Sequence, residues 1–201
     1  MIAVLALGLT IALDVREFFP IAAGTVWTYE TSGEDSVVTS KMTAGTPEAV
    51  GGEEAIPFVT TVLAQKVETI YYRVSPEAVS IVGYDPKQPF RQARPLLKAE
   101  DKGSKWTYEA DESGIPLKME CSTTVKKPRR VLDQTVDVLE LKVTATLGSK
   151  GPSAMEMKQT ALYGKGIGLF EIQEERKVGK VKSQRQIRLV QFQPAPGPGG
   201  R

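Results

Sequence analysis

Six cations crowd one short stretch of this chain. Arg176, Lys177, Lys180, Lys182, Arg185 and Arg188 fall within Arg176-Lys177-Val178-Gly179-Lys180-Val181-Lys182-Ser183-Gln184-Arg185-Gln186-Ile187-Arg188. Gly179 suggests a hairpin tip, so several of these charges could share one edge. Such density suits contact with an anionic surface, either phospholipid heads or a cell-wall polymer. Basic strands near a sheet edge also discourage edge-to-edge pairing, and both uses stay open here. Few aromatic rings interleave the cations, which argues against single-stranded nucleic acid as a partner.

Other constellations are weaker. Gly164-Lys165-Gly166-Ile167-Gly168 has the composition of a phosphate loop. A phosphate cradle must open a helix whose N-terminus meets the anion, yet the following Leu169-Phe170-Glu171-Ile172 is strand-like. A glycine hairpin is the expected form, because glycine supplies the positive φ of tight turns. The acidic pairs Glu53-Glu54, Glu100-Asp101, Asp111-Glu112 and Glu174-Glu175 are adjacent in sequence. Neighbours on a strand point to opposite faces, so these pairs do not converge on a substrate. The chain has no histidine, which removes Ser-His-Asp and Cys-His nucleophiles, imidazole acid–base work and His-ligated metals. Its single cysteine excludes an intrachain disulfide framework and a four-cysteine metal site. Period-two counting places Cys121 on an apolar face with Leu117, Met119, Thr123 and Val125, as a small core hydrophobe. No catalytic, cofactor-binding or metal-ligating residue is expected, and the chain does not read as an enzyme.

The elements that must position these residues announce themselves by repetition. Gly24-Thr25-Val26-Trp27-Thr28-Tyr29-Glu30 returns as Gly103-Ser104-Lys105-Trp106-Thr107-Tyr108-Glu109, offset by 79 residues (103 − 24). Both tryptophans lie in these copies. Each heptad alternates as a strand does, with Trp and Tyr on one face, and each ring pair reads as the anchor of one half of a duplicated core. Short alternating runs follow at Ser36–Ala44, Ala55–Ala64, Lys66–Val74 and Ala78–Tyr84, then Ser104–Ala110, Pro116–Val125, Val136–Leu147, Met155–Tyr163, Ile167–Glu175 and Ser183–Gln193. No helical period is sustained beyond the first residues. The expected fold is all-β: an antiparallel curved sheet, half-barrel or sandwich, built from two sequence-related halves, about 14–85 and 95–193. Pro86, Pro89 and Pro95 make residues 86–95 an extended connector between them. Lys126–Arg130 and Gly148–Pro152 read as loops that lengthen the second half.

The chain's 201 residues, 41% apolar and 25% charged, are those of an ordinary globular protein. The net charge of +2 is too small to argue for a nucleic-acid partner. It is unevenly spread: residues 1–100 carry 8 basic and 12 acidic groups (8 − 12 = −4), residues 101–201 carry 18 and 12 (18 − 12 = +6). Residues 2–13 are uncharged and mostly apolar, too short to cross a bilayer but fitting the h-region of a secretory signal, although no cationic n-region precedes them. The first buried strand is the other reading of this run. Residues 194–201, rich in Pro and Gly, read as a disordered tail.

Two motifs carry a resemblance. Pro20-Ile21-Ala22-Ala23-Gly24-Thr25-Val26-Trp27-Thr28-Tyr29 and Tyr163-Gly164-Lys165-Gly166-Ile167-Gly168-Leu169 resemble the Pro-Leu-x-x-Gly-x-x-Trp-x-Tyr opening and the late Tyr-x-x-Gly-[Val/Ile]-Gly-Leu hairpin of a loose group of exported bacterial β-proteins of unknown function. Ile21 replaces Leu, and the second opening departs, since Pro95-Leu96 stands six residues from Gly103 rather than two. The resemblance implies export and an antiparallel sheet, and brings no catalytic residues. The sequence therefore points to a secreted or periplasmic, non-catalytic binding or structural module of the cell envelope, with envelope lipid or polymer as the partner class. A carrier of a lipophilic ligand on a concave sheet face is the alternative, and would need a large dry cavity. A carboxylate-dependent hydrolase would need two acids facing one cleft at about 5–10 Å.

Overall fold

A computed structural model describes residues 13–33, 36–98, 103–112, 114–149 and 154–196. The apolar run at 2–13, apart from Leu13, and residues 197–201 of the tail lie outside the described residues.

Period-two alternation governs the chain from residue 26 onward, and strands form wherever it holds. They are β1 (Val26–Ser32), β2 (Val37–Ala44), β3 (Glu48–Val50), β4 (Glu53–Val62), β5 (Gln65–Val74), β6 (Ala78–Gly83), β7 (Arg94–Lys98), β8 (Lys105–Glu112), β9 (Ile115–Val131), β10 (Gln134–Leu147), β11 (Met155–Gly164), β12 (Gly168–Val178) and β13 (Val181–Gln193). All pairings are antiparallel. The sheet order is β7-β6-β5-β4-β2-β1-β13-β12-β11-β10-β9-β8, with β3 attached to β4 alone. Neighbours in sequence are thus neighbours in space, except that the first strand pairs with the last, Val26 opposite Gln193. The free edges, β7 and β8, are consecutive in sequence. Tyr108 of β8 donates its hydroxyl to the Gln92 carbonyl (3.1 Å), and Thr123 donates to the Lys98 carbonyl (2.6 Å). The sheet is therefore a nearly closed barrel, joined along this seam by side chains rather than by a backbone ladder.

One face fills the interior. Leu139, Leu141, Val143 and Ala145 of β10 are buried, and their ladder partners across β9 and β11 include Cys121, Thr123, Ala161 and Tyr163, buried too. Glu140, Lys142 and Thr144 point the other way. Apolar inside and charged outside is the reverse of a membrane-spanning barrel, whose apolar band faces lipid. Among the described residues no helix is long and apolar enough to cross a membrane.

One end is stoppered by the lead-in segment. Asp14 caps a 3-10 turn, Val15–Phe18, by accepting from the Arg16 N–H. The Val15 N–H donates to the Pro76 carbonyl of the β5–β6 turn, and the Gly166 N–H of the β11–β12 turn donates to the Glu17 carbonyl (2.9 and 2.7 Å). Lys165 and Glu17 pair at 2.9 Å across the same junction. Phe19 then meets Phe58 and Tyr72 with ring centroids 5.2 and 5.0 Å away. Both described chain ends leave from this stoppered end, because β1 begins there and β13 finishes there.

Three sequence expectations need correction. Lys126–Arg130 is not a loop: β9 runs through it, and its side chains are exposed in succession, which hides the burial alternation that marks a strand. The connector does not reach Pro95 as bare chain, since Arg94–Lys98 forms β7, and proline is tolerated there because an edge strand needs no N–H on its open side. Trp106 is only partly buried whereas Trp27 is 1% exposed, so the two indoles are not equally deep.

Candidate functional site

The cation-rich stretch forms the β12–β13 hairpin, turned at Gly179 with φ +59°. Alternation splits its charges between the two faces. On the inner face Arg176 and Arg185 converge on Glu174, which is 4% exposed. Arg185 donates from a terminal nitrogen to Oε2 at 3.0 Å, while its Nε (2.8 Å) and Arg176 Nε (2.5 Å) reach Oε1 as ion pairs without hydrogen-bond geometry. Two guanidiniums on one carboxylate satisfy the charge that burial would otherwise make costly. The sequence pairing Glu174-Glu175 concealed this role, although the spacing Glu174-x-Arg176 on one face of a strand is its signature.

The outer face carries Lys177 opposite Lys182, and Lys180 occupies the tip. Lys177 lies 3.6 Å from Glu156. Arg188 sits further down the barrel, in register with Glu30 on one side and Glu171 on the other. The six cations therefore do not form one patch: Lys177, Lys180 and Lys182 gather near the tip, Arg176 and Arg185 turn inward, and Arg188 stands among carboxylates.

Concavities follow the same division. A cleft of about 350 Å³ at the inner lip is lined by Ser36, Glu174, Arg176, Ser183 and Arg185. An open polar trough of about 700 Å³ is lined mainly by outward-facing side chains, among them Lys142, Lys158, Thr160, Gln173 and Gln186. The pocket among Phe19, Trp27, Phe58, Tyr72 and Tyr163 holds only about 40 Å³. That is room for a water or two, far below the few hundred Å³ of a small-molecule pocket. Burial pushes the Tyr72 and Tyr163 phenols well above their ordinary range, and pushes the Cys121 thiol up to about 11. A thiol so placed stays protonated and inert. Among the described residues no group of three acidic, Cys or His side chains could hold a metal ion.

The two motifs quoted from the sequence lie against each other. The Trp27 indole donates to the Ile167 carbonyl (2.6 Å), and the Tyr29 hydroxyl donates to the Leu169 carbonyl (3.0 Å). Gly168 has φ +86°, and a Cβ there would press on Pro20 Cδ and the Trp27 ring. The glycine hairpin is thus a dock for the opening motif, not a phosphate loop, and β12 follows it where a phosphate loop would need a helix.

No family model matches the chain, and no curated protein matches it in sequence. Solved structures do. A "putative lipoprotein" from Parabacteroides distasonis ATCC 8503 superposes with a TM-score of 0.52 at 12% identity, over 88% of this chain and 98% of its own. The likeness is one of fold. A "putative exported protein with YmcC-like fold" from Bacteroides fragilis NCTC 9343 gives 0.47 at 9% identity, over 90% and 99%.

Proposed function

We propose that this chain is an exported, non-catalytic β-barrel module of the cell envelope, which binds or supports a partner through its outside rather than carrying a ligand within. The close packing of the aromatic end of the interior is the observation that supports a module over a lipophilic carrier: the pocket beside Trp27 and Phe58 is about 40 Å³ and cannot hold a lipid chain. The one well-buried carboxylate at the lip, Glu174, is held by two arginines, a poor setting for an acid or base that must exchange protons. The fold shared with a protein described as a lipoprotein fits an envelope or secreted place. The reading as two related halves belongs to the same proposal. Gly24 and Gly103 both have positive φ, Thr25 and Ser104 are both buried, and Tyr29 and Tyr108 both donate to carbonyls. Fractionation of the native host, with native mass spectrometry of the purified protein, tests the proposal. The expected product is envelope or medium protein without a bound lipophile. A cytosolic product, or a lipid retained at one per chain, overturns it.

A further inference from the structure

The end of the barrel opposite the stopper carries apolar side chains that serve no core. Leu63 is 91% exposed, Val181 72% and Val37 67%, with Val38 and Val178 also exposed. All five sit at or beside hairpin tips. Ser40 pairs with Val62, which sets the β4–β5 tip beside Val38, and Ser32 pairs with both Val37 and Gln186, which sets the β1–β2 turn beside β13 as it runs on to Val181. The tips are staggered in one sense from hairpin to hairpin, as tilted barrel strands require, so they share one rim.

Leu63 is the most telling of them. Leu63 and Ala64 have φ of 49° and 62° and form the whole β4–β5 turn. Two-residue turns of this hand favour Asn-Gly, because both central residues must take positive φ. A leucine there is costly for the backbone and leaves its side chain in water. It contributes to neither the turn nor the interior.

Lysines interleave these aliphatics. Lys66 follows the Leu63–Ala64 turn, and Lys180 and Lys182 flank Val181; none of the three has an ion-pair partner among the described residues. No aromatic ring and no free arginine stands at the two tips, although those anchor most protein–protein hot spots. Separate aliphatic fingers with amines beside them match a shallow entry into lipid, with each amine lifted to the phosphates.

We propose that this rim docks on a bilayer surface containing anionic phospholipid, with Leu63 and Val181 entering the headgroup boundary. The proposal depends on the envelope reading only for the bilayer it would meet in the cell. Co-sedimentation of the purified full chain with vesicles tests it separately. The protein should pellet with mixed phosphatidylglycerol–phosphatidylcholine vesicles, far less with phosphatidylcholine alone, and be released by salt. Leu63→Asn/Ala64→Gly improves the turn, so it keeps the fold, and should weaken vesicle binding by roughly tenfold or more, the equivalent of burying one leucine. Lys180→Glu/Lys182→Glu should abolish the preference for anionic lipid. Failure to pellet with anionic vesicles overturns the proposal, as does binding indifferent to the turn variant. So does a concentration-dependent dimer, seen by light scattering, that the turn variant dissolves, since a second copy would then cover the rim. A cytosolic location in the host would sink the envelope module while leaving a positive vesicle result standing.

Discussion

At the scale of single residues, the two tryptophans that look equivalent in sequence do different work. Trp27 is buried, stacks near Phe58 at 5.5 Å and donates to the Ile167 carbonyl. Trp106 lies near the seam with Lys98 Nζ 5.9 Å from its ring, and its buried Nε1 has no protein partner. Trp27→Phe should cost about 2–4 kcal/mol, from the stranded carbonyl and the space left behind. Trp106→Phe should change stability by less than about 1 kcal/mol, because it deletes a donor that bonds nothing. Urea unfolding of both variants checks the contrast. Buried titratable groups set an alkaline limit in the same way. The Cys121 thiol ionises near 9 when unfolded and at about 11 when folded, so between these values the folded chain holds more protons and loses stability as pH rises. The phenols of Tyr29, Tyr72 and Tyr163 extend the loss above pH 10, their ordinary value. Thermal melts from pH 8 to 11 should show Tm falling from about pH 9, and Cys121→Ala should delay the onset.

Among the elements, some hairpin turns suit their residues and others do not: besides β4–β5, the β9–β10 turn holds Leu132 at φ +52°. The β12–β13 and β11–β12 turns use glycine where φ is positive, at Gly179 and Gly166. The β4–β5 turn spends Leu63 and Ala64 on the same task. Leu63→Asn/Ala64→Gly should therefore raise stability by about 1–2 kcal/mol, read as a higher urea midpoint with an unchanged slope. This turn also marks where sequence reading falters. The alternation of Phe58, Thr60 and Val62 is plain, but without Asn or Gly to mark the turn the first run reads on through Leu63 to Ala64 before the second opens at Lys66. Lys126–Arg130 fails for the opposite reason, since a strand exposed on every residue has no period to see. Where burial alternates strictly, as from Leu139 to Ala145, the strand and its inner face are legible from composition alone. The inward turn of Arg176 and Arg185 is harder to see, because the stretch reads as cationic throughout and only the same-face spacing of Glu174 and Arg176 hints at which face lies inward.

For the whole molecule, the order of strands around the barrel matters more than their number. Ring order runs β1, β2, β4, β5, β6, β7, then β8 to β13, so the Trp27 and Trp106 strands stand six apart either way round, as do those of Tyr72 and Tyr163. The all-β, antiparallel expectation holds because period-two alternation is a local signal. The pairing of first strand with last has no such local sign. A circular permutant opened between β7 and β8, with residues 13 and 196 joined by a flexible linker across the stoppered end, should fold to the same barrel with one cooperative transition, because the cut falls where no ladder exists and the join crosses one end of the barrel. Circular dichroism and calorimetry of the permutant would show this.

The stoppered end, where both ends of the described chain lie, gives the barrel a direction in which it is weak. A load pulling the two ends apart must first free the stopper from Pro76 and Gly166, and then acts across β1 and β13 at Val26 and Gln193. Because antiparallel hydrogen bonds lie perpendicular to their strands, such tension peels them singly, like a zip, instead of shearing the row at once. A tether fixed to the first strand alone leaves that zip unloaded, and the barrel can then be dragged without opening.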